Sequence, residues 1–526
     1  MREETTGSRE RWMSRVTLLG LLLLEAIIRA PAFTQGGFVS HDVAGILYSA
    51  MVFHDGGLPY VDTVELKAPG TFYLAWAFAG ADGRDIEKFQ VLANLWAMLG
   101  TCIVFTLMTR ARGLVAGAVA GMICVLQQPW LDSMDANYVT WANTFQVGAF
   151  AAVWRGPGAV TSTRARDWIL AGALAAVAAL CKRQAVFLFV PLIWCTVFIP
   201  ACGESSHGAR WRRLGGLALG ACGPLFAVLA HYASHGEAWA FIRGYALNDW
   251  GWNYVSFGGG GGVLETVAEG CLATTYFLAL PLALMVLGMA TQGRSGARGW
   301  GAVLVWLASM IVAAWIGGRF YKGYFALTLA PAAMLAGGAV ATVLARWRQE
   351  LKPRAGRFVR RAVGLVLTLV ITVLVFRGCL LLWNVRGARD VSRDAGARRI
   401  ATHVVAHSSP SDTIWVWGWH LWDLYPLSGR MAASSIYKSL GVLTPANDDS
   451  WRKRARPLHF GESLQSDRLL RELKASNPRY IVLGSTVPHR EFKALRAYLA
   501  SAYVRDHRLK IGRVEMWRLR DASRAR

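Results

Sequence analysis

The sequence predicts a polytopic α-helical membrane protein with a small C-terminal α/β extracytoplasmic domain. Three observations carry this expectation. The 526 residues are 54% hydrophobic and only 17% charged, with 23 Trp, a composition of the membrane class. Apolar runs of about 17 to 23 residues recur as far as Trp383, each long enough to cross a hydrocarbon core. Between them Arg and Lys collect in short loops, as the positive-inside rule requires. That distribution also accounts for the net charge of +24. In a soluble chain such a charge would suggest nucleic acid; here it marks cytoplasmic loops beside membrane lipids, and no nucleic-acid partner is expected.

The first run, Val16 to Phe33, reads as an outward span rather than a cleaved signal peptide, because it is long and no small-residue cleavage site follows before Gly36. The N-terminus is then cytoplasmic. The stretch Ser40 to Gly70 falls outside, since its polar groups cannot sit unpaired in hydrocarbon. Within it, Val43 to Phe53 has helical spacing and is expected to lie on the surface. Thr71 to Ala81 is apolar but too short to span, so it is expected to be a surface or half-inserted helix.

Spans follow at Gln90 to Thr109, Leu114 to Gln127, Val139 to Trp154, Trp168 to Leu180, Ala185 to Ile199 and Leu214 to Ala230. Four more are expected at Leu272 to Met289, Trp300 to Ile316, Ala326 to Leu344 and Ala362 to Trp383. The total is about eleven. Counting Thr71 to Ala81 as a span would put the basic loops on alternating sides, so the charge bias decides the count. The Gly258 to Gly262 run lacks a following Gly-Lys-Ser/Thr and reads as a hinge, not a phosphate loop.

Composition turns polar after Asn384, which divides the chain into a transmembrane domain, 1–383, and an outer domain, 384–526. In the latter, Arg389 to Val405 and Arg490 to Ala500 read as helices. Thr413 to Gly418, Tyr480 to Gly484 and Arg513 to Leu519 read as strands. The cluster Trp415, Trp417, Trp419 and Trp422 suits packing or acceptor binding. The eight Cys show neither zinc spacing nor a disulfide framework.

Several residues on the predicted outer side could carry chemistry. Asp42 either caps the helix starting at Val43 or, beside an apolar wall, serves as a general base toward a hydroxyl. Glu65 and Lys67 form either a solvated interface pair or, through Lys67, a contact to a lipid phosphate. Lys182 and Arg183 break the positive-inside pattern at an outer hairpin end; they either snorkel or line an anionic site. Arg319, Tyr321 and Lys322 form another outer cationic cluster with the same two readings. Asp132 and Asp135 lie in an outer turn, where Asp135 could cap the helix from Tyr138. Glu25 and Arg29, four apart on the first span, should neutralise one another. His231 and His235 lack a third ligand, so no metal site is expected.

The run from Gly57 to Pro69, G-x-P-Y-x-D-x-x-x-x-K-x-P, following one span and an early outer Asp, resembles a motif of the membrane GT-C glycosyltransferases of the dolichyl-phosphate-mannose protein mannosyltransferase and ArnT type. GGRFYKGYF, Gly317 to Phe325, resembles their late GGR-x-Y-x-H-Y-F motif, and the WVWG strand resembles the start of the outer domain in bacterial members. The resemblance implies a GT-C fold in a bacterial-type plasma membrane. It also implies inverting transfer from a polyprenyl-phosphate sugar donor to a lipid, glycan or protein acceptor, without cofactor. It places Asp42 as the catalytic base, Asp135 or Asp132 as the second acidic position, Lys67 at the lipid phosphate and Lys182 at a hairpin where a Lys is common; Arg183 and Arg319, read from the outer cationic clusters, are expected to hold the donor phosphate with them. Lys322-Gly323-Tyr324 departs from the usual Gly-His-Tyr. An alternative class, a transporter or flippase of lipid-linked glycans, requires polar residues deep in the spans, which are mostly Ala, Leu, Val and Gly.

Overall fold

The structure, a computed structural model, describes residues 2–34, 41–131, 133–156, 161–199, 207–247, 263–289, 297–350, 391–418, 421–439, 441–444, 450–452, 457–509 and 511–520. Asp132, Trp419, the glycine run 258–262 and the expected span 362–383 lie outside these residues, as does the expected domain boundary at 383/384.

The membrane part is a succession of helices: α1 (Arg2–Thr34), α2 (His41–His54), α3 (Gly70–Phe78), α4 (Ile86–Arg112), α5 (Leu114–Gln127), α6 (Tyr138–Val153) and α7 (Ala165–Cys181). Then come α8 (Phe189–Phe198), α9 (His207–Ser234), α10 (Ala238–Phe241), α11 (Val263–Phe277), α12 (Ala279–Met289), α13 (Ala297–Trp315) and α14 (Leu329–Glu350). Short 3-10 turns, Arg183–Leu188 and Lys322–Thr328, lead into α8 and α14. Among the described residues, three helical stretches are long and apolar enough to cross a membrane: Ile86–Arg112, His207–Ser234 and Lys322–Trp347.

The expected single span Leu272 to Met289 is instead broken, with α11 and α12 meeting at 86°. Pro281 supplies the reason, since it has no N–H to give the Phe277 carbonyl and its ring crowds that carbonyl.

The expectation of a surface helix over Val43 to Phe53 fails. Every residue of that stretch is buried, with Val43, Ile46, Leu47 and Ala50 at 0% exposure. The sequence of α2 is apolar around its whole circumference, and such a helix is stable only when enclosed. Its cover comes from the C-terminal segment: Tyr48 packs on the rings of Tyr425 and Tyr437, and its hydroxyl receives the Ala432 N–H at 3.0 Å. The α3 helix has 9 residues, too few to span, as its length in the sequence required.

The C-terminal segment is built on a four-stranded sheet of order β1-β2-β4-β3, with β1 (Ile414–Trp417), β2 (Tyr480–Leu483), β3 (Tyr503–Arg505) and β4 (Glu515–Leu519). The β1/β2 pair is parallel, while β4 is antiparallel to β2 and β3. Helices Val391–Ala406, Leu464–Ser476 and Lys493–Ala502 accompany it. Helix Leu464–Ser476 and strand β3 escaped the sequence reading. The helix did carry signals, a capping box at Ser463 and Ser466 and an i, i+4 apolar pair in Leu469 and Leu473.

Inside the bundle, Arg29 on α1 is fully buried and binds Glu25 at 3.0 Å. Its guanidinium also donates to Asn94 Oδ1 at 2.6 Å and to the Ser133 carbonyl at 3.3 Å. Gln90, one turn before Asn94 on α4, accepts the Ala136 N–H at 2.8 Å. These bonds anchor the turn that carries Asp135 to α1 and α4. Arg29→Leu strands the Glu25 carboxylate, so it should destabilise the protein by about 3–5 kcal/mol. Thermal unfolding in detergent measures this, and Glu25→Gln/Arg29→Leu should recover most of the loss.

Candidate functional site

The site begins in α2. Asp42 does not cap this helix, which starts at His41; it lies in the first turn, where the helix dipole favours its negative charge. Its carboxylate meets the Lys67 ammonium at 3.2 Å, each side chain about one-third exposed. Lys67 also sits 5.3 Å from the centre of the Tyr138 ring at the start of α6.

The loop presenting Lys67 is tightly held. Tyr60, which adopts a left-handed backbone (φ 71°), donates its hydroxyl to the Lys67 carbonyl. Glu65 accepts the backbone N–H groups of Leu66 and Lys67 at 2.7 and 3.0 Å through one carboxylate oxygen. Its other oxygen receives the Tyr437 hydroxyl and the Lys438 ammonium, the latter at 2.6 Å. Glu65 is 1% exposed. The solvated Glu65–Lys67 pair, one of the two readings of the sequence, is therefore replaced by a buried pair of Glu65 with a lysine 373 positions away. Burial alone would raise the Glu65 carboxyl, but Lys438 and the hydrogen bonds hold it below the ordinary carboxylate range.

Gly70 brings this loop to the end of α7. A Cβ there would stand 2.6 Å from the Leu180 carbonyl carbon and 2.8 Å from the Cys181 nitrogen, so only glycine permits the approach. The next residue, Lys182, thereby joins the group. Burial, and then the neighbouring Lys67 ammonium, lower its pKa to about 7, partly opposed by Asp42. Its ammonium lies 5.0 Å from the centre of the Tyr324 ring, which ties it to the GGRFYKGYF segment.

Arg183 turns away from this role. Its guanidinium donates to three backbone carbonyls, Leu66 at 2.7 Å, Gly244 at 2.6 Å and Tyr245 at 3.0 Å, and so staples the Lys67 loop to the segment after α10. Arg319 is buried in a turn whose neighbours Gly318 and Phe320 both take positive φ, and its carbonyl receives the Trp451 N–H at 3.1 Å. Lys322 is exposed, and Tyr321 opens the 3-10 turn with its ring 5.6 Å from that of Tyr324. Asp135 is buried in the turn before α6; the capping expected of it belongs to Asn137, whose side chain accepts the Val139 N–H at 2.9 Å.

The structure thus gathers Asp42, Lys67 and Lys182, with Tyr138 and Tyr324 as aromatic walls. Sequence reasoning missed those two rings and the C-terminal pair Tyr437 and Lys438. A lysine in a polar stretch carries no mark that it will be buried, so Lys438 had no readable signal. His231 is occupied by Tyr73, whose hydroxyl lies 2.6 Å from its Nδ1, and by the stacked ring of Trp76. Among the described residues no three His, Cys, Asp or Glu side chains converge as metal ligands would.

A family model described as dolichyl-phosphate-mannose-protein mannosyltransferase matches residues 66–226. Compared by sequence with curated proteins, the chain matches none. Among solved structures it is similar to ArnT from Cupriavidus metallidurans bound to undecaprenyl phosphate, with 16% identity, a TM-score of 0.59, and coverage of 95% of this chain and 97% of that one. It is also similar to the archaeal oligosaccharyltransferase AglB from Archaeoglobus fulgidus in complex with an inhibitory peptide and a dolichol-phosphate. There the identity is 14%, the TM-score 0.51, and the coverage 90% of this chain and 70% of that chain. The arabinofuranosyltransferase AftD from Mycobacteria matches 97% of this chain over 40% of its own length, at 13% identity and a TM-score of 0.50.

Filling the close approach at Gly70 should displace backbone rather than a pliable side chain. Gly70→Ala is therefore expected to cost about 1–3 kcal/mol, read as a lowered unfolding midpoint of the purified protein.

Proposed function

We propose, from the GT-C fold that this chain has in common with ArnT, that it is an integral-membrane inverting glycosyltransferase. It moves a sugar from a polyprenyl-phosphate donor to an acceptor hydroxyl on the outer side of a bacterial-type plasma membrane. The acceptor is a lipid, a glycan or a protein. One observation supports the reading: Asp42 and Lys67 pair at 3.2 Å, and both charges act on Lys182.

Asp42 takes the proton of the acceptor hydroxyl as its oxygen bonds to the anomeric carbon. The bond from that carbon to the phosphate oxygen breaks on the opposite face, and its electron pair leaves with the polyprenyl phosphate. A phosphate leaving group needs no proton at neutral pH, so a single base suffices. Lys67 and Lys182 stabilise the charge that grows on the departing phosphate. Before the donor arrives, Lys67 is held by Asp42 at 3.2 Å. A bound phosphate competes for that ammonium and frees the carboxylate to accept a proton. Arg183 shapes the loop through its three carbonyl contacts; in this reading Arg319 assists at the donor phosphate, Asp135 is the second acidic residue, and Tyr321 and Lys322 are additional candidates. The transporter alternative draws no support from Glu25 and Arg29, which are packed against each other and Asn94 rather than lining a route.

Asp42→Asn should lower transfer of radiolabelled sugar from a polyprenyl phosphate by about 10²- to 10⁴-fold in purified, folded protein; undiminished transfer would sink the assignment. Lys182 gives a second test. Its ammonium loses its proton as pH rises through about 7, whereas the phosphodiester donor keeps its charge. Donor KM should therefore rise between pH 6 and pH 8, and Lys182→Met should flatten that rise. The stability contribution runs the other way, because the depressed lysine binds fewer protons folded than unfolded, and its burial cost is relieved as pH increases above 7.

A further inference from the structure

We propose that Lys438, delivered by the outer domain, is a positioning residue of the donor-phosphate site: it clamps Glu65, and Glu65 fixes the backbone that aims Lys67. The proposal rests on the glycosyltransferase reading above and extends it, giving the outer domain a part in building the site.

The geometry is a relay through one carboxylate. On the side facing the outer domain, Glu65 Oε2 receives Lys438 Nζ at 2.6 Å together with the Tyr437 hydroxyl. On the side facing the site, Oε1 receives the N–H groups of Leu66 and Lys67. Lys67 then extends to Asp42. Both members of the pair are buried, Glu65 at 1% and Lys438 at 6% exposure.

The segment that carries Lys438 is itself fixed. Ser435 accepts the Val64 N–H at 2.8 Å, and Ser434 and the Ser435 N–H bind Glu472 at 2.6 and 2.9 Å. Lys438 enters beside Gly45 of α2, where a Cβ would stand 2.5 Å from its Nζ. A buried ion pair is a poor way to gain stability, since apolar residues of similar size often serve as well. Its geometry here instead directs two backbone N–H groups, and displacing a phosphate-binding ammonium by about 1 Å costs up to about a hundredfold.

The test uses full-length protein and undecaprenyl phosphate as the binding probe at fixed pH, alongside sugar-transfer kinetics. Lys438→Met should weaken binding about tenfold to a hundredfold and raise donor KM more than it lowers kcat. Its acidic activity limb should move to higher pH, because Glu65 without its cation is more easily protonated. Glu65→Gln/Lys438→Met removes the stranded charge, so it should regain the unfolding temperature without regaining probe affinity. Gly45→Ala removes no polar group but pushes against Lys438 Nζ, and should weaken binding in the same direction.

Binding by Lys438→Met within twofold of the parent protein overturns the proposal. So does recovery of both stability and affinity in the double variant, which would make the pair a packing device. Asp42→Asn, run in parallel, separates the two readings: retained transfer in that variant overturns the base assignment and leaves the Lys438 binding result to be judged alone. A parent protein that binds no undecaprenyl phosphate overturns both.

Discussion

A carboxylate taken out of water must be met by a cation and by hydrogen bonds, and Glu65 is the point where this protein meets that demand. Isolating such a charge costs several kcal/mol even after relaxation, so the chain around it has little freedom. The cation comes from Lys438 and the hydrogen bonds from Tyr437, Leu66 and Lys67. Satisfying one side chain thereby joins the C-terminal segment to the loop that leads to Asp42. The apolar core follows the same line, running continuously from α2 through Tyr48 to Tyr425 and Tyr437 of the C-terminal segment.

Around that joint the cations divide their work by the partners they find. Arg183, with a planar fork of donors, is spent on three backbone carbonyls and sets the shape of the loop. Lys67 and Lys182, compact charges on flexible stems, face aromatic rings and Asp42, where an anion can draw them. Burial first, and then the nearby Lys67 ammonium, make Lys182 give up its proton readily. In the proposed reading, a lipid phosphate would share these two cations with Asp42.

Deeper in the bundle, the Glu25, Arg29, Asn94 and Gln90 network does for the Asp135 turn what Glu65 does for the Lys67 loop. In both places a buried polar group is satisfied by a backbone segment of the site. Packing of Ala- and Leu-rich helices alone has no such directionality, because dispersion contacts fix spacing but not the aim of an N–H or a carbonyl.

The sequence by itself determined the helical membrane class, the helix positions from α4 to α9, the strands at 414–417, 480–483 and 515–519, and Asp42, Lys67 and Lys182 as residues worth placing. These are readable because hydropathy, charge bias and strand composition are local properties. The broken helix at Pro281 was legible in principle, since a proline's missing donor is local too. Only the tertiary structure decided that α2 is enclosed, that Glu65 belongs to Lys438 and that Arg183 holds backbone. Each depends on which partner arrives from a distant part of the chain. A charged side chain has the same letter whether it faces water or a buried counter-ion; the difference is an energy of desolvation and pairing that exists only once the two segments meet.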